Sequence, residues 1–180
     1  MHFLRDAILT IVGLLVVGAV LAYLQVMDGG LSAAEQPSVV EKAVAARLLR
    51  LSVPAEAKKS SNPYAAEKTA WREGSEHFDD HCAVCHGRDG HGDTAVGRNM
   101  YPKVPDLSAS PTQHLSDGEL YYIIQNGVRW TGMPGWMSEH TEEETWKLVS
   151  FVRQLPEVTA NDLDENRATK RGQATQPHHH

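Results

Sequence analysis

The sequence predicts an all-α chain in which one N-terminal transmembrane helix precedes a small helical domain. An uncharged run of 20 residues, Ala7 to Val26, is long enough as a helix to cross the roughly 30 Å hydrocarbon core of a bilayer. Later segments repeat apolar residues at three- and four-residue spacing, which is typical of amphipathic helices. Two of these helices begin at a capping residue, Ser116 and Thr141, with acidic residues in the first turn.

The apolar run is interpreted as a retained anchor. The alternative is a cleaved signal peptide, for which Ser32-Ala33-Ala34 offers a weak cleavage site, but the apolar part of a signal is usually only about 7–15 residues long. The even spread of hydrophobicity argues against a buried soluble helix. Because Arg5 precedes the run while Asp28 and Glu35 follow it, the flanks favour a cytoplasmic N-terminus.

We expect four regions along the chain. Residues 38–53 form an amphipathic helix that could lie on a membrane, on a partner subunit or on its own domain. We assign no function to the polar tail at the end of the chain or to its terminal residues, His178-His179-His180. The four regions are an anchor at 1–28 (span about 7–26), the amphipathic helix and a flexible tether at 29–63, a folded domain at 64–158 and a disordered polar tail at 159–180.

The only two cysteines form a C-x-x-C-H motif, Cys82-Ala-Val-Cys85-His86. This spacing indicates covalent attachment of a c-type haem, in which two thiols form thioethers and the histidine binds the iron. A zinc site would need further ligands, such as His91, because no other cysteine exists. A thioredoxin-like redox pair should lie in a βαβ unit, and no strand pattern surrounds this pair.

An iron that carries electrons needs a sixth ligand, and methionine is the usual choice in cytochromes c. Met133 lies between Gly132 and Pro134, which let the backbone approach a ring closely and hold one loop shape. Met133 is therefore the predicted ligand, with Met100 and Met137 as alternatives.

Around this motif the sequence resembles the class I (mono-haem) cytochrome c family, in a membrane-anchored bacterial form. The resemblance covers roughly residues 65–156. It implies that Pro105 accepts a hydrogen bond from the proximal histidine. The residues that carry the resemblance, in chain order, are Gly74, Phe78, the C-x-x-C-H motif, Gly87, Gly90, Gly92, the segment Val104-Pro105-Asp106-Leu107, the helices Leu115 to Gly127 and Thr141 to Leu155, and Leu148 and Phe151 as partners of Gly74 and Phe78.

The resemblance implies one covalent haem c with His86 and Met133 as axial ligands, and single-electron transfer rather than enzyme catalysis. It also implies a haem domain in the periplasm, anchored to the bacterial cytoplasmic membrane as a tethered carrier or as the haem c subunit of a larger oxidoreductase. Expected donors are a quinol-oxidising complex or dehydrogenase, and expected acceptors are a terminal oxidase or reaction centre. Arg129 is expected to pair with a haem propionate, and Trp130 to adjoin the haem.

Charge excludes one class of partner and suggests another. The chain has a formal charge of −6 and no block of basic residues, so nucleic-acid binding is not expected. Residues 64–160 hold 15 acidic and eight basic side chains, a net of −7, which favours docking to a basic patch. Two other functions remain open: a haem sensor or peroxidase-like enzyme with a labile sixth ligand, and a structural subunit whose haem is vestigial.

Overall fold

The computed structural model describes residues 2–29, 32–33 and 35–174. Within these ranges the elements are helices and turns with no β-strand, so the all-α prediction is confirmed. The chain divides into two compact units, Met1–Glu35 and Gln36–His180, which we describe separately.

The first unit is one long helix, α1, at His2–Gly29. It contains the predicted span and extends beyond it at both ends. By length and composition the helix is able to cross a membrane. Its large apolar side chains are exposed along the whole length, for example Leu14 and Leu15, which are 68% and 67% exposed. A helix that is apolar on every side needs an apolar environment that this unit does not itself supply.

The second unit contains eight further helices among its described residues. A π-helical turn at Phe78–Cys82 and a 3₁₀ turn at Gly97–Asn99 interrupt the series. The helices are α2 at Val39–Ser52, α3 at Ala55–Lys59, α4 at Ala70–His77, α5 at Ala83–His86, α6 at Ser110–Gln113, α7 at Asp117–Asn126, α8 at Glu142–Gln154 and α9 at Ala160–Ala174.

The core forms where α4 crosses α8. Phe78 and Phe151 meet edge to face with ring centroids 4.9 Å apart, and Leu148 is buried beside them. The helices approach closely because Gly74 has no side chain: a Cβ there would lie 2.0 Å from the carbonyl oxygen of Lys147. The resemblance predicted that Gly74 packs against Leu148 and that Phe78 packs against Phe151. Both contacts are present.

Helices α7 and α8 begin at the predicted capping residues. The Ser116 hydroxyl accepts a hydrogen bond from the Glu119 backbone at 3.2 Å, and the Glu119 carboxylate accepts one from the Ser116 backbone at 2.8 Å. Thr141 and Glu144 form the same reciprocal pair at the start of α8. Each pair satisfies two backbone N–H groups that the first helical turn leaves unpaired.

The segment 54–63, expected to be a flexible tether, is instead packed against the domain. A Cβ on Gly118 of α7 would lie 1.7 Å from the carbonyl oxygen of Ala57, so α3 rests directly on α7. The buried side chain of Asn62 donates to the carbonyl of Trp146 in α8 at 3.0 Å. Composition indicated a linker, but these tertiary contacts order the segment.

The polar tail also differs from the expectation of disorder over 159–180. Residues 160–174 form α9, and Leu163 packs against the core. The buried amide of Asn166 donates to the carbonyl of Arg72 at 3.0 Å and to the hydroxyl of Ser75 at 2.6 Å. Arg88 also donates to the Asp164 carboxylate at 2.9 Å and to the Leu163 carbonyl at 3.3 Å, so apolar, amide and charged contacts together attach this strongly polar helix. Positions 175–180, including the terminal histidines, lie outside the described residues.

Candidate functional site

The C-x-x-C-H motif occupies a short helical segment at the end of α4. The chain passes from α4 through the π-helical turn Phe78–Cys82 into α5, and Gly87 ends the segment with a φ of 74°. A π turn is a rare element that is frequent at functional sites. The sequence therefore folds locally so that both cysteines and the histidine lie within two consecutive helical turns.

The two cysteine thiols are unpaired. Both are only partly exposed. Burial raises the pKa of Cys82 to about 12, and the charge of Cys85 adds to the shift. Since thiolates are the nucleophilic form, a raised pKa is the opposite of what a catalytic or disulfide-exchanging cysteine requires. The raised pKa of Cys82 is compatible with attachment through a carbon–sulfur bond.

The His86 side chain is half-buried and forms no ion pair with the described residues. Its Nδ1 atom is enclosed and has no hydrogen-bond partner at good geometry. Burial lowers the pKa of His86, and an interaction with the backbone of Pro105 opposes part of that shift. A hydrogen bond from the ring to Pro105, which the resemblance implied, stays a prediction. A neutral imidazole is the form that binds a metal.

Thr94, which the sequence analysis missed, supports the motif from the following loop. Its Oγ1 lies 3.0 Å from the carbonyl oxygen of Val84 and 3.1 Å from that of Cys85, and it accepts from the Gly97 backbone at 2.8 Å. These bonds fix the carbonyls at the end of α5. A hydroxyl residue inside a loop gives no distinctive sequence signal, so only the structure identifies it.

The loop that carries Met133 is fixed by its own backbone. The Val128 N–H donates to the Met133 carbonyl at 3.1 Å, and the Met133 N–H donates to the Thr131 hydroxyl at 3.1 Å. Gly127 starts the loop with a φ of 66°, and a Cβ there would lie 2.6 Å from the Met133 carbonyl. The position of Met133 is therefore constrained from both sides.

The two alternative methionines are placed differently. The sulfur of Met100 lies 3.0 Å from where a Cβ on Gly132 would be, so Met100 packs against the residue before Met133. Met137 is 63% exposed. Met100 is thus a neighbour of the Met133 loop, whereas Met137 points to solvent.

Arg129 and Trp130 lie on the surface beside the same loop. Arg129 is exposed and forms no ion pair within the described part of the chain. Trp130 is 89% exposed and has a φ of 62°, in the left-handed region that a bulky residue rarely adopts. Neither side chain forms a hydrogen bond, ion pair or ring contact with the residues that the structure describes.

Three histidines that carry no distinctive sequence signal converge next to the motif. The ring centroid of buried His140 lies 5.0 Å from that of His81, 5.7 Å from that of His77 and 5.3 Å from that of Trp136. We call these four residues the histidine cluster. The Nε2 of His140 is enclosed without a partner. Burial first, and then the neighbouring His81 and His77, lower the pKa of His140.

Within residues 2–29, 32–33 and 35–174, no three His, Cys, Asp or Glu side chains are arranged to hold a metal ion. The zinc interpretation of the motif therefore gains no support from His91, which pairs with Asp106 at 3.1 Å. The unpaired thiols, the enclosed neutral imidazole and the restrained methionine loop instead fit a c-type haem.

Comparison with known proteins agrees with this geometry. Residues 69–152 match the family described as cytochrome c oxidase, cbb3-type, subunit III. No curated protein matches the chain.

Two solved structures are similar to parts of the chain. One is a chain of the reducing HAO-like protein complex of Kuenenia stuttgartiensis, with 23% identity, a TM-score of 0.45, and coverage of 49% of this chain and 44% of that one. The other is cytochrome cL of Methylophaga aminisulfidivorans, with 21% identity, a TM-score of 0.45, and coverage of 66% of this chain and 73% of that one. This chain thus spans less than half the length of the first.

The fold and the motif define a small helical domain of the covalent haem type. Residues 69–152 form a domain of the class I cytochrome c type, and this domain supports an electron-transfer haem protein.

Proposed function

We propose that the protein is a membrane-anchored mono-haem cytochrome c that passes single electrons on the periplasmic side of a bacterial cytoplasmic membrane. The observation that carries this proposal is the C-x-x-C-H segment itself, which places two unpaired thiols and a histidine with an enclosed Nδ1 on consecutive helical turns. Helix α1 supplies the anchor, and its charged flanks support a cytoplasmic N-terminus.

Each site residue has a separate role in this proposal. Cys82 and Cys85 form the two thioether links, which prevent loss of the cofactor. Nε2 of His86 would be the proximal ligand, and the Pro105 carbonyl is the proposed acceptor for its Nδ1–H, a bond that would fix the ring orientation. Met133 supplies the sixth ligand. The haem supplies a one-electron iron couple when it is bound.

The backbone of the Met133 loop supports its assignment over Met100. A ligand that keeps iron six-coordinate must be held in place, and Met133 is restrained by bonds to Val128 and Thr131. Met100 contacts Gly132 and so supports the loop from outside. Arg129, exposed beside the loop, is proposed to pair with a haem propionate, and Trp130 to adjoin the haem.

A methionine series tests the ligand assignment. Met133→Leu in the holoprotein is expected to remove the methionine–iron charge-transfer band and to lower the midpoint potential. Met137→Leu, at an exposed position, is the matched control and should change neither property. Met100→Leu should keep the band. If Met100→Leu loses the band and Met133→Leu retains it, Met100 is the sixth ligand and Met133 is not.

Carbon monoxide separates electron transfer from the sensor or peroxidase-like alternative. A ferrous iron with both axial positions held by protein does not bind this gas without unfolding, so the wild-type spectrum should be unchanged under carbon monoxide. Binding by the native protein would contradict the proposal. Purification of a colourless polypeptide after expression with a haem-attachment system would overturn it entirely.

The partners are proposed to be membrane redox complexes. The acidic domain favours a partner with a basic docking patch, and the matched family is described as a subunit of a cbb3-type oxidase. These observations support either a haem c subunit of a terminal oxidase or a tethered carrier that delivers electrons to one. The proposed donor is a quinol-oxidising complex or a dehydrogenase. Gentle detergent extraction should co-purify such a complex, in an association that raised salt weakens. Isolation of the chain alone at low salt would favour the free carrier.

A further inference from the structure

The apolar face of α2 is not covered by any of the residues that the structure describes in its own unit. Val40, Val44, Leu48 and Leu51 recur on one side of the helix and are 73%, 51%, 57% and 64% exposed. The sequence left three surfaces open for this helix: a membrane, a partner subunit or its own domain. The exposure of these four side chains excludes its own domain as the surface that covers this face. A stripe of four large exposed aliphatic side chains marks an interaction surface rather than ordinary scattered exposure.

Charge on α2 is opposite in sign to that of the domain that follows it. The helix carries Lys42, Arg47 and Arg50 against a single acid, Glu41, whereas residues 64–160 have a net charge of −7. Arg47 and Arg50 follow the apolar stripe along one side of the helix. An apolar face with basic residues at its border is typical of helices that lie in the headgroup region of anionic membranes.

Chain length limits how far α2 can lie from a membrane. Residues 30–38 separate the end of α1 from the start of α2. Nine extended residues reach at most about 30 Å. If α1 spans a bilayer, α2 therefore begins within about 30 Å of the end of α1 and can reach lipid without the help of another protein.

We propose that α2 lies in the surface of an anionic lipid bilayer, with its four-residue apolar face in the acyl boundary and Arg47 and Arg50 at the lipid phosphates. This inference rests on the proposed membrane anchor. Val53, 3% exposed, connects α2 directly to the packed segment 54–63. A hydrogen bond from the Tyr101 hydroxyl to Glu41 joins α2 to the loop that carries Met100. Seating α2 on lipid therefore restrains the haem domain instead of letting it swing freely.

Hydrogen–deuterium exchange of the full-length holoprotein tests the proposal. A 14-residue helix with little tertiary support is marginal in water, so its amides should exchange readily in amphipol. In phosphatidylglycerol-containing nanodiscs, exchange over 39–52 should slow by about tenfold or more. Leu48→Glu should abolish this protection. Ala46→Glu, which adds the same charge at an exposed position on another face, should retain it.

The outcomes separate failure of this proposal from failure of the anchor. Carbonate extraction of wild type and both variants from native membranes reports on α1 alone. Release of the wild type would overturn the anchor and with it the position of α2. Retention of the chain, with equal exchange in nanodiscs and amphipol, would overturn the lipid assignment alone and point to a partner protein. Equal protection in purely phosphatidylcholine nanodiscs would overturn the role of anionic lipid.

Discussion

Gly74 and Lys147 touch backbone to backbone where α4 crosses α8: a Cβ on Gly74 would lie 2.0 Å from the Lys147 carbonyl oxygen and 2.5 Å from its carbonyl carbon. Both obstructing atoms belong to a helix backbone, so neither can rotate away. The helices would have to separate, and the contact of Phe78 with Phe151 would open with them.

Gly74→Ala should therefore destabilise the domain although alanine is the better helix former. We expect a loss of roughly 2–3 kcal/mol in the free energy of unfolding, as for other overpacked cores. Denaturant unfolding followed by circular dichroism would measure this loss. Gly18→Ala is the matched control, because a Cβ at Gly18 meets nothing within 4 Å. An unchanged stability in Gly74→Ala would show that α4 and α8 are not closely packed.

Gly118→Ala tests the docking of α3 on α7. A Cβ at this position would lie 1.7 Å from the Ala57 carbonyl oxygen, and the neighbouring bond from the Ser116 hydroxyl to the Lys58 carbonyl, 3.0 Å long, depends on the same approach. We expect hydrogen exchange to rise across residues 54–63 in the variant. Exchange within the core of α8 serves as the internal control and should stay slow. If the segment is a free tether, wild type and variant will exchange equally fast there.

The sequence predicted the parts of this fold that depend on local pattern. Ser116 with Glu119 and Thr141 with Glu144 form the expected caps because capping requires only residues three apart. The C-x-x-C-H motif is equally local. The contact of Gly74 with α8 is long-range, but it followed from the resemblance because the family places a glycine there.

Long-range polar contacts could not be predicted in this way. Asn62 bonds to a residue 84 positions away, and Asn166 bonds to one 94 positions away. In the sequence, short polar side chains in polar surroundings indicate linkers and tails. Their hydrogen bonds to distant residues, which order these segments, are visible only in the structure. The histidine cluster was missed for the same reason, since its members come from the end of α4, the π turn and the segment before α8.

Asn166→Ala should release α9 from the domain. The Asn166 amide is buried and donates to both the Arg72 carbonyl and the Ser75 hydroxyl, so its loss removes two hydrogen bonds between α9 and α4, although the Ser75 hydroxyl keeps its own bond to the Arg72 carbonyl. We expect faster trypsin cleavage after Arg167 and a loss of about 1 kcal/mol in the free energy of unfolding. Asn161→Ala, an exposed position on the same helix, is the matched control. Equal cleavage rates in both variants would contradict the docking of α9.

The histidine cluster makes stability depend on pH. His140 is buried with its Nε2 unpaired; the neighbouring His77 and His81 add to the effect of burial in lowering its pKa, whereas Glu139 and Glu144 act against it. The folded state therefore holds His140 neutral at a pH where the unfolded chain already takes up a proton. Because the unfolded state binds more protons, stability falls as the pH drops from the ordinary value of 6.5 through the lowered pKa.

His140→Gln removes this titration and should flatten the pH dependence. Denaturant unfolding at about pH 7.5 and about pH 5.5 would measure the difference for each protein, and that difference should be smaller in the variant than in wild type. Carboxylates that titrate over the same range contribute equally to both and cancel. His114→Gln is the control, since His114 is exposed and lies outside the cluster. If His140→Gln and His114→Gln both retain the wild-type slope, His140 is not held neutral by its burial, and the acid sensitivity of the domain arises elsewhere.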